Sequence, residues 1–237
     1  EFRRVLFRSD GYFMRLLLLY FGSVNLADGA NMFHVQAEAA QGGDVLLERW
    51  QTRGIGHTLP LLKVESPLEG KLAITIASGS MPRRIPRWDE PLVGRRYFTA
   101  DETGGVGEAS DGTPYAKLGG GLRRWRTAVF KGGRWINAVA EENKAAAIED
   151  ADLESISARP AKFDEILVSG TVEEQVATIK QRLDQSREHL HNYPASCSAR
   201  TNREVAFTEL RDLAPRLGKT ADELESEYRS LEDYVFA

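Results

Sequence analysis

GLRRWRTAVFKGGRWINAV, residues 121–139, decides how the middle of this chain folds. Gly132 and Gly133 divide two runs rich in aromatic and β-branched residues. Glycine accepts the positive φ that a two-residue turn demands, so the stretch predicts a β-hairpin. That turn sets the register: Lys131 opposite Arg134, Phe130 opposite Trp135, Val129 opposite Ile136, Ala128 opposite Asn137. Side-chain alternation then sorts the residues onto two faces. Trp125, Thr127, Val129, Ile136 and Ala138 suit a core. Arg124, Arg126, Phe130, Trp135 and Asn137 form the other face, where rings beside guanidinium groups suit stacked bases and phosphates.

Upstream, PRRIPRW and GRRYF add cations and rings of the same kind. The expected nucleic-acid-binding set is Arg83, Arg84, Arg87, Trp88, Arg95, Arg96, Arg124, Arg126, Phe130, Lys131, Arg134 and Trp135. The competing expectation is structural. Phe130 and Trp135 would then be a cross-strand pair buried under acidic helices, with the arginines bridging to carboxylates.

Charge is distributed in blocks along the chain. Residues 10–80 carry a net −2, residues 81–137 a net +5, and residues 138–237 a net −9. A basic middle points to an anionic partner there, and the acidic C-terminal part argues against one on its own surface. Of 237 residues, 42% are hydrophobic and 28% charged, ordinary for a globular protein with one or two domains. The single cysteine, Cys197, excludes a disulfide framework within the chain and fits a cytoplasmic location. No apolar run approaches the ~20 residues of a membrane helix, so no membrane partner is expected.

The flanks of the hairpin set the architecture. To its N-terminal side, LLLLYF (16–21), DVLLERW (44–50), LPLLKVE (59–65) and KLAITIA (71–77) read as strands, and VQAEAAQ (35–41) as a short helix. In the last of these strands Leu72, Ile74 and Ile76 share a face. The glycine-rich stretch 100–121 reads as a mobile loop or long hairpin tip. From about residue 141 the pattern turns helical. Thr171/Glu174, Thr201/Glu204 and Thr220/Glu223 have the spacing of capping boxes. Apolar stripes follow: Val172, Val176, Ile179, Leu183 and Leu190; then Val205, Leu210 and Leu213; then Leu224, Tyr228, Leu231 and Val235. The fold class expected is α/β of the α+β type. A β-rich N-terminal and middle region, forming a twisted sheet or partly open barrel, precedes a C-terminal region of three to four helices.

Residues 1–9, EFRRVLFRS, back-translate to the end of a common short-read sequencing adapter and are expected to be read-through. On that reading the frame is joined partway into a gene, and two expectations stand: Met14 is a start codon, or it is an internal methionine with an upstream domain missing. The expected division is 10–158 for the β-rich domain, either whole or truncated at its start, and 159–237 for the helical region, with ISARPAKF as the break.

Motifs for chemistry are thin. GKT at 218–220 lacks the glycine that a phosphate-binding loop places five residues earlier, where Leu213 stands. LRDLAPRLGKTADELESEYRSLED has a helix-turn-helix rhythm, but its second helix is acidic and would repel phosphates. His189 and His191 are two apart and point to different helix faces. No catalytic residue, metal ligand or cofactor is assigned. The preferred expectation is a non-catalytic accessory module that binds single-stranded or irregular nucleic acid. The alternatives are a protein-interaction module using helices 171–235, and a fragment of a larger enzyme whose catalytic residues lie upstream.

Overall fold

A computed structural model describes residues 10–17, 20–54, 56–79 and 85–236, with backbone alone over 230–236. It is a mixed α/β protein of two compact units, residues up to Val168 and residues from Ser169. The EFRRVLFRS segment lies outside the described residues.

The first unit is built on a seven-stranded antiparallel sheet, ordered β5-β4-β3-β2-β6-β1-β9. Its strands are β1 (Met32–Val35), β2 (Val45–Glu48), β3 (His57–Leu68), β4 (Lys71–Ser78), β5 (Arg87–Asp89), β6 (Gly121–Trp125) and β9 (Ala147–Ile148). Three of the expected strands appear, as β2, β3 and β4. β1, MFHV, was not anticipated, because all four of its residues are buried and no alternation marks it. Leu61, Ile74, Ile76, Leu46, Leu122 and Phe33 form the main core, with Leu72 packed against it. Phe98 from α2 (Pro91–Thr99) and Phe163 from α3 (Leu153–Ile166) complete it, their ring centroids 4.9 Å apart. A single helical turn, α1 (Ser23–Leu26), seats Leu26 against Met32, Val45 and Leu47.

Four expectations need correction here. LLLLYF is not a strand where it is described: residues 10–17 and Tyr20 are helical. Phe21 N donates to Leu17 O at 2.8 Å, a helical i to i−4 bond. Leucine favours helix as readily as a buried strand, and the run has no alternation to decide the matter. VQAEAAQ ends β1 and then gives only a 3₁₀ turn, Ala37–Ala39. Residues 100–121 are neither a featureless loop nor one long hairpin: a single antiparallel bridge joins Glu108 and Pro114, and Ala109 N donates to Thr113 O at 2.8 Å. They carry 3₁₀ turns at Asp101–Thr103 and Tyr115–Leu118, and bury Thr103, Ala109, Ala116 and Leu118.

The fourth correction is the break at ISARPAKF, which lies inside α3. Proline lacks an N–H, so Pro160 deprives the Ile156 carbonyl of its helical partner. Arg159 Nε lies 3.5 Å from that carbonyl. The helix thus continues past its proline to Ile166, and the division between units falls after Val168 instead of near residue 158.

The second unit holds three helices, α4 (Val172–Asn192), α5 (Cys197–Leu213) and α6 (Ala221–Phe236). Val176, Ile179, Leu183, Ala206, Phe207, Leu210, Leu224 and Tyr228 share its core. Thr171 and Glu174 form the expected capping box. Thr220 and Glu223 exchange reciprocal bonds of 2.8 and 3.2 Å. Thr201 caps nothing, because α5 has already begun at Cys197 under Ser196, whose hydroxyl accepts from Ala199 N at 3.3 Å. Starting the helix earlier rotates the stripe, so Ala206 and Phe207 face inward and Val205 is 45% exposed. Leu231 and Val235 are beyond the described side chains. No helix among the described residues is long and apolar enough to cross a membrane.

Candidate functional site

The stretch 121–139 divides at Arg126. β6 is a central strand of the sheet, whereas β7 (Thr127–Lys131) and β8 (Arg134–Ala138) form a separate two-stranded ribbon. Its pairs are those the Gly-Gly turn dictates: Lys131 with Arg134, Phe130 with Trp135, Val129 with Ile136, Ala128 with Asn137. Gly132 and Gly133 both have positive φ, 60° and 78°. The ribbon is tied down at its base, where Asn137 Nδ2 donates to Ala30 O and Arg126 N to Asn31 O, both at 3.0 Å.

At its tip the ribbon exposes its largest side chains. Trp135 is 70% and Phe130 63% exposed, their rings edge to face with centroids 5.4 Å apart. Lys131 and Arg134 are exposed in the next cross-strand pair. Alternation turns these two cations to the ribbon face opposite the rings.

The other expected cations are occupied or remote. Arg124 is buried and makes a two-pronged ion pair with Asp44, Nε to Oδ1 at 2.7 Å and Nη2 to Oδ2 at 2.9 Å. It also donates to Asn143 Oδ1 and Ala39 O, both at 2.7 Å, which leaves it unable to face a phosphate. Asp44 lies 80 residues from Arg124 in sequence, so no local pattern exposes the pair. Arg126 Nε donates to Gly29 O at 2.5 Å. Arg95 donates to Leu167 O at 3.0 Å and pairs with Asp164. Arg96 lies over the Tyr97 ring, 4.5 Å from its centroid. Arg87 and Trp88 are exposed on β5, the edge strand. Three strands stand between β5 and β6, roughly 19 Å at the usual strand spacing, so these two residues do not extend the ribbon tip. Arg83 and Arg84 lie outside the described residues. Of the ten residues of the set that are described, the structure therefore gathers Phe130, Lys131, Arg134 and Trp135.

A second polar centre lies inside the first unit. Three buried arginines grip successive carbonyls of the turn that enters β6. Arg49 Nε lies 3.4 Å from Leu118 O, Arg123 Nε donates to Gly119 O at 2.7 Å, and Arg159 Nη2 to Gly120 O at 3.0 Å. The β1–β6 ladder ends at the pair His34 and Arg123. One step beyond, where Val35 and Leu122 would pair, Arg159 Nη1 donates to both carbonyls, at 3.2 and 2.8 Å. The three glycines are required. Gly121 has φ 95°, and a Cβ there would meet Arg159 Nη2 and stand 2.6 Å from Thr103 O. A Cβ on Gly120 would stand 2.7 Å from Glu102 O.

His34 sits between two of these guanidinium groups, Nε2 2.7 Å from Arg123 Nη2 and Nδ1 2.9 Å from Arg159 Nη2. Burial first, then Arg159 and Arg123, hold its pKa far below the ordinary histidine range, so the ring is neutral. Burial likewise lowers Arg159 to about 9 and Arg123 to about 10. These residues went unread in the sequence. The available signals were the three consecutive glycines and a charged residue, Arg123, between the core positions of a strand.

A third cluster lies at the end of β2. Glu48 pairs in register with His57 of β3, and the His57 ring lies 5.1 Å from Trp50. Burial raises the Glu48 pKa to about 7; Arg96 opposes the shift and Glu102 adds to it. His57 is pushed down by burial and then by Arg96. Among the described residues, no group of three or more His, Cys, Asp or Glu is placed to hold a metal ion.

No family model matches the chain, no curated protein matches it, and no solved structure matches it.

Proposed function

We propose that this chain is a non-catalytic module that binds single-stranded or irregular nucleic acid through the tip of the β7–β8 ribbon. The exposure of Trp135 beside Phe130 carries this reading. Burying a large apolar side chain is worth roughly 1.5–3 kcal/mol, and here two adjacent rings forgo it. Every base has a π-face, so such a pair accepts stacked bases without regard to sequence. The neighbouring pair adds to the argument. Like charges directly opposite each other on a ribbon are destabilising, and a phosphate passing Lys131 and Arg134 relieves that repulsion. A strand laid over the tip places bases on the rings while its backbone runs past the cations. Arg124 and Arg126 take no part, being committed to Asp44 and Gly29.

The test is the salt dependence of binding to a single-stranded oligonucleotide. Two phosphate contacts give a slope of about −1.4 in log K against log salt, at about −0.7 per contact. Changing Lys131→Glu together with Arg134→Glu should abolish binding and leave the unfolding midpoint unchanged. Equal affinity and an equal slope in the double variant would remove the reading.

Glu48 favours a second reading, an enzyme in which this carboxyl group takes part in acid–base chemistry. A carboxyl group titrating near neutrality beside a histidine and an arginine is the kind of arrangement that acid–base chemistry uses. Direct titration of the Glu48 carboxyl by carbon NMR tests it. A value near 7 supports this reading, and a value in the ordinary range near 4.5 removes it.

A further inference from the structure

A cleft of about 270 Å³ opens over the His34–Arg123 pair, lined also by Lys117, Gly119, Asp150 and Leu153. Its charge is unbalanced. Arg49, Arg123 and Arg159 are each 2–3% exposed, and their recorded acceptors are carbonyls, the Ser23 hydroxyl and the His34 ring. Arg126 adds a further positive charge near Arg123. The negative groups acting on Arg123 are Asp150 and Asp28. Asp150 is the carboxylate lining the cleft, 55% exposed, and Lys117 stands exposed at the rim.

The protons are unbalanced in the same place. A neutral imidazole has one N–H and one lone pair. Both ring nitrogens of His34 face guanidinium donors, so only one can accept. Nδ1 faces Arg159 Nη2, which also donates to Gly120 O. Nε2 is the nitrogen nearer Asp150, whose Oδ1 is 3.8 Å away, beyond hydrogen-bond reach. With Nδ1 as acceptor, Nε2–H and Arg123 Nη2 stand side by side as two buried donors without an acceptor between them. An unmet buried donor costs about 1–3 kcal/mol. A negatively charged oxygen in the cleft accepts from both and offsets the surplus cations.

We propose that this cleft binds a small oxyanion, a phosphate or carboxylate group, held by His34 Nε2–H and Arg123 Nη2, with Lys117 as the rim cation and Asp150 as the group that limits affinity. The site is independent of the ribbon tip.

Calorimetric titration of the full chain with inorganic phosphate and, separately, with acetate tests this. At least one anion should bind saturably in the millimolar range or tighter, and which one does so tells the phosphate source from the carboxylate source. Lys117→Ala should weaken that binding about fivefold, the effect of removing one nearby charge in a partly screened site. Asp150→Asn should strengthen it by a similar factor, because a repelling carboxylate is gone. Lys131→Glu, at the ribbon tip, should leave it unchanged. Thermal unfolding without anion checks that each variant folds, and Lys117, being exposed, suffices if Asp150→Asn does not. Absence of saturable binding of either anion would overturn the proposal. So would saturable binding indifferent to Lys117→Ala.

Discussion

Arg124 grips both carboxylate oxygens of Asp44 across the β2–β6 sheet, Nε to Oδ1 at 2.7 Å and Nη2 to Oδ2 at 2.9 Å. Asp44 is 1% exposed, so removing its partner strands a buried charge. Breaking a buried pair on one side costs roughly 3–5 kcal/mol. Arg124→Ala should therefore destabilise the first unit by about that amount in urea unfolding. Arg134→Ala, at the exposed ribbon tip, should fall within about 0.5 kcal/mol of the parent. Similar costs for the two would contradict the internal role of Arg124.

The entry to β6 makes a sharper demand on backbone and space. Gly133→Ala meets no atom within 4 Å and pays only for its φ of 78°, about 1–2 kcal/mol. Gly121→Ala has φ 95° and must also displace Arg159 Nη2 and Thr103 O. It should cost clearly more than Gly133→Ala, and it should disturb the His34 ring signals in NMR. Equal destabilisation by the two changes would mean that the arginine clamp on residues 118–120 is slack.

Glu48 couples the first unit to pH. Its folded pKa, about 7, lies above the ordinary glutamate value of 4.5, so the folded state holds this proton more tightly. The stabilisation is complete below pH 4.5 and is lost as pH rises through 7. Glu48→Gln removes that dependence. The variant should gain stability relative to the parent between pH 5 and pH 8, by at most about 3 kcal/mol from the size of the shift and less given the residue's partial solvent access. Denaturant midpoints for both proteins at the two pH values measure this. A constant difference would place the titration elsewhere.

The helix starts separate a working cap from an apparent one. Thr171→Ala should cost about 1 kcal/mol and raise amide exchange at Glu174, because the Thr171 hydroxyl accepts from that amide. Thr201→Ala, inside α5, should change stability by less than about 0.5 kcal/mol. A larger loss at Thr201 than at Thr171 would reverse the assignment.

The sequence was legible where a short-range rule governs. Gly132–Gly133 fixes the ribbon register because a two-residue turn leaves no freedom of pairing. Thr171/Glu174 is a cap because both partners lie within one helical turn. The illegible arginine roles depend on partners distant in the chain. Arg124 looked free because Asp44 is 80 residues away, and Arg159 gave no sign of the β1–β6 gap it fills because Val35 is 124 residues away. Pro160 is a different case: Arg159 reaches the Ile156 carbonyl from within the same helix, but a proline rule that counts only backbone donors does not see that side chain. Of the nucleic-acid set, the tip residues kept their expected exposure and Arg124, Arg126 and Arg95 did not, since alternation assigns a face but not what covers it.

Indole fluorescence during titration with a single-stranded oligothymidine at low salt tests the central claim most directly. Stacking on Trp135 should quench the emission with a saturable curve. In Trp135→Leu the quench should vanish and affinity should fall by roughly 1–3 kcal/mol, the contribution of one stacked base. An identical quench and affinity in parent and variant, or no quench in the parent, would contradict a base-stacking role for the ribbon.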